Sequence, residues 1–351
     1  MYFSDTYFYN FRNLHQGRMA WSAGFNLITG LNGAGKTNFI EGLNLVSGWG
    51  PLERGTRMSS LVNWGESERA SLWARVSGER ISDIFASISA RCSLKCDDKA
   101  IGASAMRSKM PVLTFLSDGM SLVRGGASSR RALLDMAGAI ISPSYAVRLY
   151  DYRKALRQKA VLLRRRMDAR FAERAMIPTG SWLWIAREEI AKLLGVALRD
   201  FSELLASPME LRFERGGGGW SPSALEDFKM SLSMKREREL ASGVPLVGPQ
   251  RDDVKLICSG MDAALFLSRG QSRRAAAALI LATALVVEQR VGRKPVLIFD
   301  EVTSELDEGG RHALFEALLD TGCQVFAATA DDIDYEGISV YRLKDGRFAL
   351  P

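Results

Sequence analysis

An eight-residue glycine-rich segment constrains the fold of this chain more than any other feature of its sequence. The segment reads Gly30-Leu31-Asn32-Gly33-Ala34-Gly35-Lys36-Thr37 and matches the phosphate-binding pattern GxxxxGK[ST] in full. An apolar, strand-like run at 24–29 comes directly before it, and a helix-like run at 38–46 follows it. Because that pattern needs a turn between a strand and a helix, the sequence predicts an α/β fold with a phosphate site at this turn.

The residue types of this loop fit the phosphate groups of a nucleotide. Glycines let backbone N–H groups turn toward β- and γ-phosphate oxygens at a helix N-terminus, where the helix dipole also favours an anion. Lys36 would place a positive charge between those phosphates, and the Thr37 hydroxyl would be available to Mg²⁺. A glycine turn that meets a helix by chance is the alternative, and the matching flanks argue against it.

A second segment places two acidic residues at the end of an apolar run, Pro295-Val296-Leu297-Ile298-Phe299-Asp300-Glu301. Such a run is typical of a buried parallel strand, whose carboxyl end faces the ligand crevice in α/β proteins. Asp300 is suited to hold Mg²⁺ through water, and Glu301 is suited to orient or deprotonate an attacking water molecule. The alternative is that the acids only cap a strand. The phosphate loop makes the metal and catalytic roles the stronger hypothesis.

A third segment, Leu267-Ser268-Arg269-Gly270-Gln271, begins a long apolar helix about 30 residues before Asp300. A serine and a glycine at a helix N-terminus offer a hydroxyl and backbone amides to an anion. The same string is also common as plain helix capping. Its position between the other two segments is what favours an anion-binding role.

The positive charge of the chain is concentrated in one segment. The net charge is +7, and residues 148–174 contain ten basic residues, Lys159 among them, against three acidic ones. Apolar residues recur there at steps of three and four, which predicts a helix. The segment is either a solvated helix face or an arm that contacts phosphates, and its single sign of charge favours the arm. The candidate contacts are Arg153, Arg157, Arg164, Arg165 and Arg166.

The order of elements predicts a nucleotide-binding core made from both ends of the chain, with a helical insertion between them. Strand signals at 2–11, 71–76 and 82–90 make the N-terminal part β-rich, and further strands are expected at 295–299, 324–328 and 338–343. The predicted divisions are 1–142, 143–246 and 247–351. Within the insertion, the sequence Pro178-Thr179-Gly180 predicts a break between two helices that fold back on each other.

Several classes of protein are excluded by composition and pattern. No apolar stretch approaches the length of a membrane span, and the N-terminus lacks the charge pattern of a secretory leader, so we expect a cytoplasmic protein. The four cysteines complete no zinc spacing, and the two histidines have no partner at metal or triad spacing. Any catalysis must therefore use carboxylates, amines and backbone amides.

The order of the three segments resembles the ABC-type ATPase class, and nearly the whole chain resembles the RecF family of bacterial recombinational repair proteins. The blocks that carry the closer resemblance are Asn10-Phe11-Arg12-Asn13-Leu14, residues 30–48 with Asn38 and Glu41, Gly55-Thr56-Arg57, Leu61-Val62-Asn63-Trp64-Gly65, Ser121-Leu122-Val123 with Gly125, Arg130-Arg131 with Leu133-Leu134-Asp135, Pro143 with Tyr145, Tyr152 with Lys154-Ala155-Leu156 and Gln158, and Gly248-Pro249-Gln250-Arg251-Asp252-Asp253. The chain departs from the family at Gln250, where a histidine is usual, and at Glu301, where a second aspartate is frequent.

The resemblance implies an ABC-type ATPase core with a helical arm, called lobe II, and an ATP-dependent DNA-binding protein. It implies a dimer with two ATP molecules between subunits, slow hydrolysis, binding to gapped or single-/double-stranded junction DNA, and cooperation with RecR and RecO in loading recombinase. Lys36, Glu301 and Ser268 would be catalytic, and Thr37 and Asp300 would bind Mg²⁺. ATP contacts would come from loop residues 30–37, Asn38, Arg12, Asn13, Ser268, Gly270 and Gln271, while Arg57 would contact a phosphate of ATP or of DNA.

Three other functions fit parts of the sequence. A transporter motor would need a surface for a membrane partner, and the basic insertion argues against it. An SMC-type chromosome protein would need a coiled coil of hundreds of residues, whereas this insertion has about a hundred. A DNA scaffold that binds ATP without hydrolysing it is compatible with the sequence.

Overall fold

The structure, a computed structural model, describes residues 1–53, 55–63 and 68–349, so the motif residues Trp64 and Gly65 lie outside the described part. The chain divides into two compact units: the first comprises Met1–Gly119 and Arg269–Pro351, and the second is Met120–Ser268. The predicted insertion, residues 143–246, is shorter than this inserted unit. The difference arises because a helix before residue 143 and strands after residue 246 pack with the inserted helices.

The secondary structure alternates short strands with helices of up to 28 residues. The strands are β1 Tyr2–Tyr9, β2 Gly17–Ala20, β3 Phe25–Thr29, β4 Ala70–Ser77, β5 Ser82–Ile88, β6 Cys92–Cys96, β7 Lys99–Ile101, β8 Val112–Phe115, β9 Met209–Glu214, β10 Asp253–Cys258, β11 Met261–Asp262, β12 Val296–Phe299, β13 Val325–Thr329, β14 Ile338–Lys344 and β15 Arg347–Phe348. The helices are α1 Lys36–Val46, α2 Ala103–Lys109, α3 Ala127–Ile141, α4 Pro143–Arg164, α5 Arg170–Ala197, α6 Ala224–Ser242, α7 Ala263–Phe266, α8 Arg269–Val291 and α9 Glu308–Asp320. Short 3₁₀ helices occur at Met58–Leu61, Ser117–Leu122, Leu198–Leu204 and Pro249–Arg251.

A largely parallel sheet in the first unit sets the position of the predicted site. Its strand order is β15-β14-β3-β13-β12-β8, and β14, β3, β13, β12 and β8 run parallel. β3, β12 and β13 are buried along their whole length, as expected for strands covered on both faces. Because β13 lies between β3 and β12, the residues that follow these three strands meet at one edge of the sheet.

An antiparallel sheet and helix α1 complete the core of the first unit. The antiparallel sheet has the order β2-β1-β4-β5-β6-β7, and β4 and β5 alternate between inward and outward side chains along most of their length. Phe39 of α1 packs against Phe8 of β1, against Trp21, and against Phe326 of β13. Burial of a side chain such as Phe39 contributes roughly 1.5–3 kcal/mol, so these aromatic residues hold α1 firmly between the two sheets.

The second unit is mainly helical and contains a small antiparallel sheet, β11-β10-β9. Helices α4 and α5 pack against each other, which confirms the predicted pair of helices. The predicted break at 178–180 is wrong, because the turn lies at 165–169 and Pro178 is inside α5. The helix continues through Pro178 because its buried side, including Met176 and Leu183, packs on both sides of the proline, and the Ser181 hydroxyl donates to the carbonyl of Ile177 at 2.8 Å.

A buried ionic network stabilises the second unit. Arg187 of α5 donates to Asp135 of α3 at 2.8 Å and to Asp252 at 2.7 Å, and the Trp184 indole donates to the other oxygen of Asp252 at 2.7 Å. Removing Arg187 would leave Asp252 buried without its ion-pair partner, which costs several kcal/mol. Gln250 accepts a hydrogen bond from Tyr152 and donates one to a carbonyl in the same unit. Gln250, which stands where the family usually has a histidine, therefore has a structural role within the second unit.

No helix in the described ranges combines the length and the apolar character that crossing a membrane requires.

Candidate nucleotide-binding site

The glycine-rich loop takes a backbone path that requires glycine at two positions. It joins β3 to α1, as the sequence predicts. Gly30 has a φ of 157°, and a Cβ atom there would lie 2.2 Å from the carbonyl oxygen of Leu343. Gly35 has a φ of 110°, and its Cβ would lie 2.8 Å from Oδ1 of Asn13. These contacts exclude other side chains and let the loop turn tightly into the first turn of α1.

Lys36 extends into the mouth of the loop. Its Nζ donates to the carbonyl oxygens of Gly30 at 2.6 Å and of Leu31 at 3.0 Å, and the residue is 8% exposed. Burial lowers the pKa of this amine, while the carboxylates of Asp300 and Glu301 act to raise it. A phosphate group bound at the loop would therefore stabilise the positive charge of this buried amine.

Thr37 and Asp300 meet at the carboxyl edge of the sheet. The Thr37 hydroxyl donates to Oδ2 of Asp300 at 2.9 Å, although the two residues are 263 positions apart in the chain. Burial raises the pKa of Asp300, and the bond from Thr37 acts to lower it. Oδ1 of Asp300 is buried and has no hydrogen-bond partner in the structure.

This pair fits Mg²⁺. A buried carboxylate oxygen without a partner needs a cation or a water molecule, and a threonine hydroxyl with a carboxylate is an oxygen donor set that Mg²⁺ prefers. Within the described ranges, no group of three or more His, Cys, Asp or Glu residues could hold a metal ion. Thr37 and Asp300 would hold a Mg²⁺ ion there, and the ion would neutralise negative charge on a bound phosphate.

Glu301 is exposed at the end of β12 and has a left-handed backbone with a φ of 50°. Such a conformation is uncommon for a residue other than glycine, and such residues cluster at functional sites. The backbone amide of the next residue, Val302, donates to the carbonyl oxygen of Ala328, and the hydroxyls of Thr303 and Thr329 are 2.7 Å apart. The turn after Glu301 is thus tied to the end of β13.

A cavity of about 640 Å³ opens at this edge of the first unit. Its lining combines one ammonium group, three carboxylates and several hydroxyl and amide groups, which suits a phosphate chain with a bound cation. The lining residues are Asn32, Gly33, Gly35, Lys36, Thr37, Asn38, Asp300, Glu301, Thr303, Ser304, Thr329, Ala330 and Asp331. The sequence analysis gave no site role to Thr329 or Asp331, because only the sheet order shows that β13, which ends at Thr329, lies between the other two strands.

Arg12 and Asn13 support the loop from outside this cavity. Arg12 forms an ion pair with Glu41 of α1 at 2.7 Å. Asn13 donates to the carbonyl oxygen of Gly33 at 3.2 Å and accepts from Asn38 at 2.8 Å. Neither residue lines the cavity, so any contact that they make with a nucleotide stays a prediction.

The serine–glycine segment begins α8, as predicted. Ser268 is exposed and immediately precedes the helix, and Gly270 and Gln271 lie in its first turn. Gly270 and Gln271 belong to the first unit but do not line its cavity. Arg269, the first residue of α8, forms an ion pair at 3.3 Å with Glu305, which lies in the turn after β12.

Arg273 is a residue of this site that the sequence analysis missed. It is 1% exposed, and its Nη2 donates to the carbonyl oxygens of Asp300 at 3.2 Å and of Glu301 at 2.7 Å. Its guanidinium also lies 4.8 Å from the centre of the Phe115 ring. Arg273 therefore links helix α8 to the backbone of Asp300 and Glu301. The residues around Arg273 in the sequence did not indicate that its side chain would be buried.

If the chain hydrolyses ATP, as the family resemblance implies, replacing Arg273 by alanine is expected to lower the turnover about tenfold, because a charged donor that contributes roughly 1.5–3 kcal/mol no longer fixes the Glu301 backbone. ATP affinity should change by less than about threefold, and Arg273→Lys should recover part of the turnover. Steady-state kinetics that separate kcat from KM would measure this, with Arg274→Ala on the same helix as the control. Equal loss in kcat and affinity would contradict a positioning role.

The basic helix α4 is less uniformly exposed than its sequence suggests. Lys159 does not belong to a basic surface: it is fully buried and pairs with Glu173 at 3.0 Å and Glu239 at 2.6 Å. A helix with one buried side must place every third or fourth residue inward, and Lys159 falls on the side that also buries Tyr145, Leu149 and Tyr152. The other candidates, Arg153, Arg157, Arg164, Arg165 and Arg166, are exposed, as is Arg57 in the first unit, and Arg153 pairs with Asp135 at 3.1 Å.

The comparisons with a family model and with known proteins indicate the same family. Residues 3–340 match the RecF/RecN/SMC N terminal domain family. The chain is 31% identical over 347 residues to the DNA replication and repair protein RecF of Symbiobacterium thermophilum, covering 94% of this chain and 92% of that protein. It is 30% identical over 379 residues to the protein of the same name from Magnetococcus marinus, covering 97% and 95%.

Solved structures agree with this result. The recombination mediator protein RecF-ATPrS of the RecFOR pathway matches with a TM-score of 0.88 and 25% identity, over 99% of this chain and 97% of that one. An SmcHead bound to the C-winged helix domain of ScpA matches with a TM-score of 0.57 and 16% identity, over 99% and 96%, which shows a common head fold alone. With its ABC-type ATPase head, the chain therefore belongs to the RecF family of DNA replication and repair proteins.

Proposed function

We propose that this chain binds ATP with Mg²⁺ at the 30–37 loop and hydrolyses it slowly. The observation that carries the proposal is the 2.9 Å hydrogen bond between Thr37 and Asp300, which brings the phosphate loop and the acidic strand end together beside the Lys36 amine. The matched structures named RecF-ATPrS and RecF-ATP support nucleotide binding by this fold. ATP titration of the wild-type chain and of a Lys36 variant tests it, as argued in the Discussion.

The side chains of the cavity divide the chemistry of hydrolysis between them. Lys36 and the backbone amides of the loop would bind the phosphate oxygens and neutralise charge that develops on the leaving group. Thr37 and Asp300 would hold Mg²⁺, which when bound supplies further charge neutralisation and orientation. Glu301, exposed at the cavity, would orient the attacking water molecule and accept its proton. These roles need no histidine or cysteine.

The proposed active form is a dimer with ATP between two copies of the chain. The first-turn residues Gly270 and Gln271 do not line their own cavity, and Ser268 beside them is exposed, so we assign this segment to contact with a nucleotide bound by another copy. Because ATP would contact both copies only in the dimer, it binds that state more tightly and shifts the equilibrium toward it. ADP lacks the γ-phosphate and should not shift it.

We further propose that the dimer binds gapped or single-/double-stranded junction DNA, that DNA stimulates its ATPase activity, and that it acts in the cytoplasm at the nucleoid with RecR- and RecO-type mediators. The relatives named for DNA replication and repair and for the RecFOR pathway support this role. The family match supports it over a transporter motor. For DNA contact, the exposed arginines of α4 and the turn after it provide the supporting chemistry.

Charge reversal at Arg164, Arg165 and Arg166 is expected to weaken DNA binding at low salt about tenfold or more and to flatten its salt dependence, because fewer counterions are released from the DNA. The loss should be similar for all sequences, since phosphate contacts carry no sequence information. A salt titration of junction DNA monitored by anisotropy would measure it, with reversal of the exposed Arg290, Arg293 and Arg347 as the matched control. An unchanged salt slope would place the DNA surface elsewhere.

A further inference from the structure

The outer face of the antiparallel sheet carries a row of aromatic side chains that the packing of the core does not explain. In the register of the sheet, Tyr7 lies beside Trp73, and Trp73 lies beside Phe85. Their neighbours along the strands, such as Leu72 and Ile84, are buried, so the row faces away from the core. Phe85 is 38% exposed, and Tyr7 and Trp73 are half-buried. We refer to Tyr7, Trp73 and Phe85 as the aromatic row.

Basic groups lie at both ends of the aromatic row and over its centre. Arg18 is the cross-strand neighbour of Tyr7 at one end, and Lys95 is the neighbour of Phe85 at the other. The guanidinium groups of Arg18 and Arg75 lie 5.5 and 5.3 Å from the centre of the Trp73 ring. Ion pairs fix both arginines on the sheet, Arg18 with Asp5 at 2.9 Å and Arg75 with Asp83 at 2.8 Å. The row thus presents aromatic surface beside two ion-paired guanidinium groups and the amine of Lys95, with the carboxylates of Asp5 and Asp83 on the same face.

The row next to these residues consists largely of small hydroxyl side chains. Tyr9 lies beside Ser71, Ser71 beside Ser87, and Ser87 beside Ser93. Tyr9 is 37% exposed, and Ser93 is also exposed. A flat ligand could lie over the aromatic row without a steric barrier from these serines, whose hydroxyls can donate or accept hydrogen bonds.

We propose that this face binds single-stranded DNA, with bases stacked on the aromatic row and phosphates contacted by Arg18, Arg75 and Lys95. A single strand offers both unpaired bases and phosphates, whereas a duplex keeps the faces of its bases in its own stack. Cations at both ends of an aromatic row complement a ligand that alternates flat rings with negative charge. A partner protein would match the rings but would not require this placement of cations.

This surface is distinct from the ATP cavity and from the basic helix α4. It consists of β1, β2, β4, β5 and β6 of the first unit, and none of its residues lines the cavity. The inference therefore goes beyond ATP binding and phosphate contact by the arginines of α4. Its test can fail while both of those proposals stand, because it concerns a different probe and different side chains.

The test uses the full-length chain and fluorescein-labelled oligo(dT), with anisotropy measured at low salt. Trp73→Ala is expected to weaken binding about tenfold, in line with the contribution of one base stacked on an aromatic ring. Phe85→Ala should weaken it by a similar factor, and Trp73→Phe should retain most of the affinity. The matched control is Trp220→Ala, since Trp220 is a 53% exposed aromatic residue of the second unit, outside the basic segment, and should leave binding unchanged.

A second probe separates stacking from charge. An abasic strand of the same length carries the same phosphates but no rings, so Trp73→Ala should leave its binding unchanged. The proposal is overturned if Trp73→Ala and Phe85→Ala bind oligo(dT) as the wild type does, the result expected for a surface that serves a partner protein. It is also overturned if both variants lose oligo(dT) and the abasic strand equally. Retained binding by Trp73→Phe would show that an aromatic ring at this position is sufficient, and retained binding of the abasic strand by Trp73→Ala would show that this variant remains folded.

Discussion

Replacing Lys36 by methionine is expected to lower ATP affinity on the order of a hundredfold and to reduce turnover below detection. Methionine keeps the length of the side chain but removes the ammonium group that the structure holds at the mouth of the loop, 2.6 Å from the carbonyl oxygen of Gly30. Hydrogen bonds from a charged donor contribute roughly 1.5–3 kcal/mol each, and a triphosphate would receive at least one of them in a partly desolvated site. Titration with a fluorescent ATP analogue, together with phosphate release, would measure both effects.

A matched lysine variant separates loss of the site from general damage. Lys192→Met removes an amine that is 74% exposed on α5 and should bind ATP as the wild type does. Circular dichroism should show both variants folded, because the contacts of Lys36 lie within its own loop. If Lys36→Met bound ATP with unchanged affinity, the loop at 30–37 would not be the phosphate site, and the roles given to Thr37 and Asp300 would have no basis.

Replacing Glu301 by glutamine is expected to lower ATP turnover about a hundredfold or more, while ATP affinity changes less than about threefold. Glutamine keeps the size of the side chain and can still form hydrogen bonds, but it cannot accept a proton from water, and positioned proton transfer typically contributes 10²–10⁴-fold to a rate. Because Glu301 lines the cavity without contacting the loop carbonyls that hold Lys36, binding should be spared. Single-turnover hydrolysis with and without gapped DNA would measure it.

Glu305→Gln is the control for this variant, since it removes another carboxylate from the same turn, one that pairs with Arg269. It should leave most of the turnover intact. A Glu301→Gln protein that hydrolyses ATP at the wild-type rate would contradict the role of Glu301. If the wild-type chain itself shows no hydrolysis in a single turnover, the non-hydrolysing DNA scaffold becomes the better description.

The geometry of the candidate nucleotide site was predictable because each of its main parts is local in sequence. The strand, turn and helix of a phosphate loop are consecutive in the sequence. Acidic residues at the end of an apolar run likewise indicate which end of a buried strand faces the ligand. Thr37 and Asp300 could therefore be paired before any coordinates were known. Thr329 could not, since its place beside them depends on β13 lying between β3 and β12, and sheet order is a long-range property.

The errors have different physical origins. Lys159 was counted in the charge of the basic segment because composition does not record the side of a helix, and two carboxylates from other helices compensate its burial. Pro178 was read as a break, but packing on both sides of it outweighs one lost backbone hydrogen bond. Arg273 was missed because its partners are backbone carbonyls, which leave no trace in a sequence pattern.

The molar mass of the Glu301→Gln protein in the presence of Mg²⁺ and ATP tests the central claim most directly, because slow turnover preserves the nucleotide-bound state during the measurement. Light scattering at micromolar concentration should give twice the 38.7 kDa of one chain with ATP, and 38.7 kDa with ADP or without nucleotide. A mass of one chain under conditions in which ATP is shown to be bound would contradict a nucleotide shared between two copies.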